Sequence, residues 1–234
     1  MSAQEIITQL KSLASDSRKK SNENYFKTGP GQYSEHDQFI GVRVPKIRKI
    51  AKQTFKKINF NEIDLLINHD IHEVRYCGLI ILVYQYQAGN QHEVFNYYIN
   101  NLQAVNNWDL VDYSTSKIIG DYLFNYPAQL PILDDWGTSP NLWHRRIAIV
   151  STFAFIKQAN FEPTLRIGKL LLNDKEDLIH KALGWMLREI YKKNSNVCVA
   201  FLQENYAQLP RTTLRYAIER MQEDERLRYL KGVF

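Results

Sequence analysis

Apolar side chains recur at three- and four-residue intervals along most of the chain, which is the period of amphipathic helices and not the alternation of strands. Leu, Ile, Lys, Glu and Gln fill these windows, and ten glycines and seven prolines punctuate the chain. The pattern predicts helices over 3–14, 45–57, 61–68, 72–87, 91–102 and 108–124, then over 127–133, 140–158, 163–172, 175–193, 197–205 and 211–219. No convincing hairpin signal accompanies them. The exception to the helical pattern is TGPGQYSEHDQ at 28–38, where two glycines flank Pro30 and predict a turn within a connecting loop; no phosphate-cradling G-x-x-x-x-G-K pattern occurs in it.

The longer helices are expected to begin near Ile71, Asn107, Ser139, Asp174 and Leu209, a recurrence of about 35 residues that falls in the range of stacked helical repeats. HEVRYCGLIIL, LWHRRIAIVSTF and DLIHKALGWML each place a basic residue shortly before small and apolar positions. A shorter amphipathic helix precedes each long one. The unit therefore reads as an antiparallel helix pair whose apolar face the next unit covers, giving a curved array with a concave face. An irregular bundle with accidental periodicity is the alternative.

Composition sets bounds on this picture. A chain of 234 residues with 44% hydrophobic and 24% charged positions is long enough to bury a substantial core, and one domain over 1–234 is expected. No run approaches the roughly 18 apolar residues of a membrane span, and the N-terminal stretch lacks a signal-peptide profile. A soluble cytoplasmic protein is expected. Cys77 and Cys198 lie in apolar helical patterns without metal-type spacing, as buried free thiols do. Net charge +5 and a pI near 9.0 decide little until the distribution is considered.

The distribution is uneven. Seven basic and no acidic residues fall between Arg43 and Lys57. On a helical wheel Lys46, Lys49, Lys52 and Lys56 share one side and Ile47, Ile50, Ala51, Thr54 and Ile58 another, a solvated lysine face or a phosphate-contacting one. Arg145, Arg146 and Lys157, then Lys181, Arg188, Lys192 and Lys193, recur in later units. In a solenoid, equivalent positions line one surface, and such recurrence would suit a phosphate backbone.

In NNWDLVDYS, Trp108 and Asp112 are four residues apart and share a helix face. On periodicity alone, core packing accounts for the indole and helix N-terminal charge for the carboxylates Asp109 and Asp112. Trp143 and Trp185 recur in later units with Arg146 and Arg188 three residues on. Tryptophans, arginines and one carboxylate suit a sugar-phosphate ligand.

W-D-x-V-D at 108–112, W-x-x-R at 143–146, A-L-G-W-x-L-R-E at 182–189, YFKTGPGQYSEHDQFIGVRVPKIRK from Tyr25 and LPRTTLRYAIER at 209–220 together resemble the AlkD-type DNA alkylation repair glycosylases over nearly the whole chain. The resemblance implies an all-α, right-handed α-solenoid of HEAT-like antiparallel helix pairs with a concave DNA-binding face. It also implies release of cationic N3- or N7-alkylated purines from double-stranded DNA, without metal or organic cofactor. By the family pattern Asp112 is the catalytic carboxylate, Trp108 and Trp185 contact the lesion deoxyribose, Arg146 holds its phosphate and Tyr25 lies near the lesion. Lys46 and Lys49 are expected on the DNA backbone, and a monomer is expected. The chain departs from a well-studied branch at Asn107, where that branch has a second aromatic, and in its longer 28–38 loop. The competing reading is a non-catalytic helical-repeat scaffold for nucleic acid or protein. A metal-dependent hydrolase using His69 and His72 is set aside for want of a third ligand.

Overall fold

The computed structural model describes residues 1–234 and contains helices without strands. Its contacts gather the chain into two units, Met1–Ser114 and Thr115–Phe234. The first holds α1 (Ala3–Lys11), α2 (Asp16–Phe26), α3 (Val44–Thr54), α4 (Phe60–Ile67), α5 (His72–Gln87), α6 (Gln91–Asn100) and nearly all of α7 (Trp108–Thr115). A π-helical turn, Ser116–Gly120, continues α7 into α8 (Asp121–Asn125). There follow α9 (Ile132–Gly137), α10 (Leu142–Ser151), α11 (Phe153–Lys157), α12 (Glu162–Leu170), α13 (Asp177–Lys193), α14 (Ser195–Asn205), α15 (Arg211–Ala217) and α16 (Glu223–Lys231). No helix is long and apolar enough to cross a membrane.

The helices that start the repeats begin at His72, Trp108, Leu142, Asp177 and Arg211, 34 to 36 residues apart. In the first unit α5 packs against α1, α3, α4 and α6 and is buried on nearly every side, so its sequence is apolar all round. In the second, α13 packs against α10, α14 and α15 through Ile179, Leu183, Met186, Leu187 and Ile190, which follow the helical period. Cys77 and Cys198 are buried and unpaired, and burial pushes each thiol up to about 12. They are packing groups, not nucleophiles.

Two helices have no counterpart in the apolar pattern. DSRKKSNENYF forms α2 and buries only Phe26, and EDERLRYLK forms α16 and buries only Tyr229. Each docks through a single aromatic, so no three- or four-residue period announces it. The run expected over 140–158 is broken at Thr152, where the Ser151 and Thr152 hydroxyls donate to the carbonyls of Ile147 and Ile149 and compete with the helix ladder.

The basic residues of the repeated motif have a common local task. Arg75 donates to the carbonyls of His69 and Asp70 (2.9 and 3.1 Å), and Arg145 to those of Ser139 and Pro140 (2.9 and 3.0 Å), six and five residues back in both cases. His180 Nε2 lies 2.6 Å from the Asp174 carbonyl, again six residues back. These side chains close the turns that lead into α5, α10 and α13. Their recurrence is therefore a folding signal before it is an electrostatic one.

Gly184 marks where α13 and α15 meet at backbone distance: a Cβ there would lie 2.6 Å from the Thr213 carbonyl oxygen and 2.5 Å from the Tyr216 Cβ. Gly184→Ala is expected to force the helices apart and lower stability by about 1–3 kcal/mol, measured by denaturant unfolding. An unchanged midpoint would show that the interface yields freely.

Candidate active site

In the first unit, Trp108 opens α7 and is half-buried. Its indole stacks on Phe26 at 5.2 Å and 14°, and Tyr25 meets it edge-on at 5.7 Å and 73°. Phe26 in turn stacks on Phe39 (4.9 Å) and tilts against the His72 ring (5.0 Å). Tyr25, 66% exposed, forms the outer edge of this aromatic platform. Such offset and edge-on contacts fix ring orientation as well as burying area. The structure thus brings two expected site residues, Tyr25 and Trp108, into direct contact.

Beneath the platform lies a charged network that the sequence did not announce. His72, 2% exposed, is 2.8 Å from Asp109 through Nε2 and 3.3 Å from Asp37 through Nδ1. Asp37 also accepts from the guanidinium of buried Arg75 and from Asn107 Nδ2 at 2.7 Å. Two cations and two carboxylates balance one another, the condition under which buried charge is tolerated. Burial alone would discharge His72, but attraction to Asp109, its hydrogen bond and that of Asp37 outweigh burial and raise the imidazole from 6.5 to about 9. Burial likewise opposes the Asp37 charge, yet the His72 hydrogen bond and Arg75 hold that carboxyl down at about 2.

Asn107 is the hinge of the arrangement. Its amide donates to Ser34 Oγ and Asp37 at 2.7 Å each, and its side-chain oxygen accepts the Trp108 backbone N–H at 2.7 Å. The position that departs from the family branch therefore ties the 28–38 loop to the first turn of α7. That loop is further stitched to the start of α5 by Gln38, whose carbonyl accepts the His72 N–H at 2.8 Å in an isolated parallel bridge with Ile71. Glu73, buried beside His72, accepts the backbone N–H groups of Ile40, Gly41 and Val42 at 3.1, 2.8 and 3.3 Å. Gly41 has φ +77° and a Cβ there would meet the Lys19 nitrogen at 2.6 Å, so only glycine fits. A cavity of about 310 Å³ opens here, lined by Arg18, Phe26, Arg43, His72, Glu73 and Asp109 among others.

Asp112 is half-buried one helical turn beyond Trp108. The first-turn carboxylate, Asp109, is thus structural, and Asp112 is the remaining acid of the W-D-x-V-D motif. Along α3 the expected core face of Ile47, Ile50, Ala51 and Thr54 is buried, while Lys46, Arg48, Lys49 and Lys52 on the helix and Arg43, Lys56 and Lys57 at its ends are all exposed. None of the seven is in an ion pair; Arg48 lies 5.2 Å from the Tyr113 ring centroid.

In the second unit the cations are spent differently. Arg145 pairs with Asp174, Lys181 with Asp177, Arg188 with Glu219 and Lys192 with Glu189. Arg146, expected at a phosphate, is 5% exposed and donates to the Leu178 carbonyl. Trp185 is half-buried against Phe153 (5.7 Å), over which Lys157 is held at 4.5 Å. Phe153 and Lys157 belong with Trp185 by this geometry, a grouping only the tertiary contact reveals. His69, one of the two histidines considered for metal, accepts the Ile71 N–H at 2.9 Å through Nδ1.

The two shifted groups set a stability window. A raised imidazole contributes stability that is complete below 6.5 and is lost as pH rises through about 9. A depressed carboxyl contributes stability that is present above 3.8 and is lost as pH falls through about 2. The urea midpoint of the wild type is therefore expected to fall between pH 6.5 and 9, and His72→Gln to be less stable at neutral pH with most of that decline removed. Parallel pH dependences in the two proteins would show that His72 does not carry the charge.

The sequence model of the family described as DNA alkylation repair enzyme matches residues 6–221. Among solved structures, the chain is similar to a predicted DNA alkylation repair enzyme from Enterococcus faecalis, with TM-score 0.73 and 20% identity over 90% of this chain and 97% of that one. It is similar also to AlkD2 from Streptococcus mutans, with TM-score 0.56 and 19% identity over 87% of this chain and 97% of the other. A third is smu.31 from Streptococcus mutans UA159, with TM-score 0.56 and 19% identity over 77% and 92% of the two chains. No curated protein matches the sequence. At these identities the solved structures show the all-α repeat fold, and the family match extends over most of the chain: the protein belongs to the DNA alkylation repair enzyme family.

Proposed function

We propose that the protein is a DNA glycosylase that hydrolyses the N-glycosidic bond of cationic N3- and N7-alkylated purines in double-stranded DNA. The observation that carries this reading is the pairing of an indole held by Phe26 and Tyr25 with a carboxylate, Asp112, one turn further along the same helix. An alkylated purine is already a cationic leaving group and needs no protonation. The demand falls on the sugar, which acquires oxocarbenium-like charge as the bond breaks.

Asp112 meets that demand in two ways. Its negative charge stabilises the developing cation, and it accepts a proton from the water that attacks C1′ while the bonding electron pair leaves with the purine and neutralises it. The Trp108 face, beside the same sugar, adds cation–π stabilisation. Tyr25 borders the lesion. No metal or organic cofactor enters these steps. The unpaired α3 cations, with Lys46 and Lys49 foremost, take the phosphate backbone. Trp185, with Phe153 and Lys157, offers the second unit its own aromatic and cationic surface for DNA, and Arg146 contributes there by holding α10 to the start of α13.

Single-turnover release of 7-methylguanine and 3-methyladenine from methylated duplex DNA in EDTA tests the reaction. Wild type is expected to release both bases, and Asp112→Asn to lose at least about 100-fold in rate while still binding duplex. Binding without release by the wild type would replace this reading with the non-catalytic scaffold. For the DNA contact, Lys46→Ala and Lys49→Ala are expected to weaken binding to any duplex and to reduce the slope of log K against log salt by about 0.9 each. An unchanged slope would place the backbone elsewhere.

A further inference from the structure

The charge on His72 is held from several segments at once. Asp37 reaches it from the 28–38 loop, Asp109 from the first turn of α7, and Arg75 lies one turn along its own helix. Phe26 from α2 and Phe39 from the segment before α3 pack their rings on the imidazole at 5.0 and 4.6 Å. Glu73, the remaining neighbouring acid, is committed to the N–H groups of residues 40–42.

This arrangement bears on the candidate chemistry through two contacts. Asp109 is the residue next to Trp108 and three before Asp112. Phe26, resting on His72, is also the ring on which Trp108 stacks. An imidazolium donates from both nitrogens and satisfies both carboxylates, whereas neutral imidazole has one N–H and one lone pair, so one carboxylate must let go. Asp37 stays in place through Arg75 and Asn107. Asp109 has His72 as its hydrogen-bond partner, its other oxygen is buried without one, and its side chain is 17% exposed. Asp109 is therefore the less anchored of the two carboxylates.

We propose that protonated His72 is a positioning residue for base excision: by holding Asp109 it fixes the first turn of α7, and with it Trp108 and the approach of Asp112, and loss of its proton disengages that turn. The proposal rests on the glycosylase reading for its effect on rate but not for its effect on Trp108. His72 and Asp109 both line the cavity beside exposed Arg18 and Arg43, which gives the imidazole a route for proton exchange in the folded protein.

The test combines single-turnover excision with a spectroscopic readout across pH 6–10, at saturating enzyme, for wild type, His72→Gln and Asp109→Asn. The wild-type rate constant is expected to fall about tenfold or more with a midpoint near 9. Both variants are expected to be slower at pH 7 and to show no such transition. Asp109→Asn preserves shape and keeps the comparison available if His72→Gln folds poorly. In ¹H–¹⁵N spectra the Trp108 indole resonance is expected to move with the same midpoint in wild type and to stay still in the variants.

A Trp108 resonance indifferent to pH, or parallel rate profiles for wild type and variants, would overturn the proposal. If wild type releases no base at any pH, the glycosylase reading fails, and the Trp108 resonance still decides whether His72 positions α7.

Discussion

A short helix pair cannot cover its own apolar face, and every other feature of this chain is arranged around that constraint. Within each unit, packing against neighbouring helices removes the face from water, as α5 does with α3 and α4 and α13 with α10 and α15. The cost is a turn of backbone polar groups ahead of the long helices α5, α10 and α13. Arg75, Arg145 and His180 meet it in the same way, by reaching back to the carbonyls of the turn that precedes their own helix. Where a helix is enclosed on nearly all sides, as α5 is, the price appears as polar groups inside the core that must find partners there.

The N-terminal end of α5 shows how those partners are found. His72, Glu73 and Arg75 enter the protein within one helical turn, and each is answered from a different direction: carboxylates for the imidazole and guanidinium, backbone N–H groups for Glu73. The answering groups lie on the loop before α3 and on the start of α7, so satisfying the charge also fixes those segments. The platform of Tyr25, Phe26 and Trp108 is built on this base. Phe26 carries the Trp108 indole on one side and rests on the His72 imidazole on the other, so the orientation of the platform is tied to the charged network beneath it.

Cations are allocated in two ways across the molecule. In the second unit many are matched to nearby acids, as in Arg145–Asp174 and Arg188–Glu219, and serve the fold. On α3 they are unmatched and exposed while the opposite face is buried. Unmatched like charges repel one another and weaken a helix, so their density on α3 suits a partner that supplies the missing negative charge, as the phosphates of DNA do.

Local periodicity carried the helical class, the recurrence near 35 residues, the buried face of α3 and the place of Trp108 and Asp112 one turn apart on one helix. Its resemblance to the alkylation repair glycosylases, carried by motifs in order along the chain, is matched by the family over residues 6–221. Periodicity could not announce α2 or α16, which dock through one aromatic each, nor the break at Thr152. Nor could it separate Asp109 from Asp112, since both suit a helix start and only the approach of His72 from another helix assigns one of them to structure. Asn107, His72, Arg75 and Asp37 lie up to 70 positions apart and signal nothing individually. Their roles come from the fold, because a buried charge acquires its meaning from partners that folding, and not the neighbouring sequence, brings within hydrogen-bond distance.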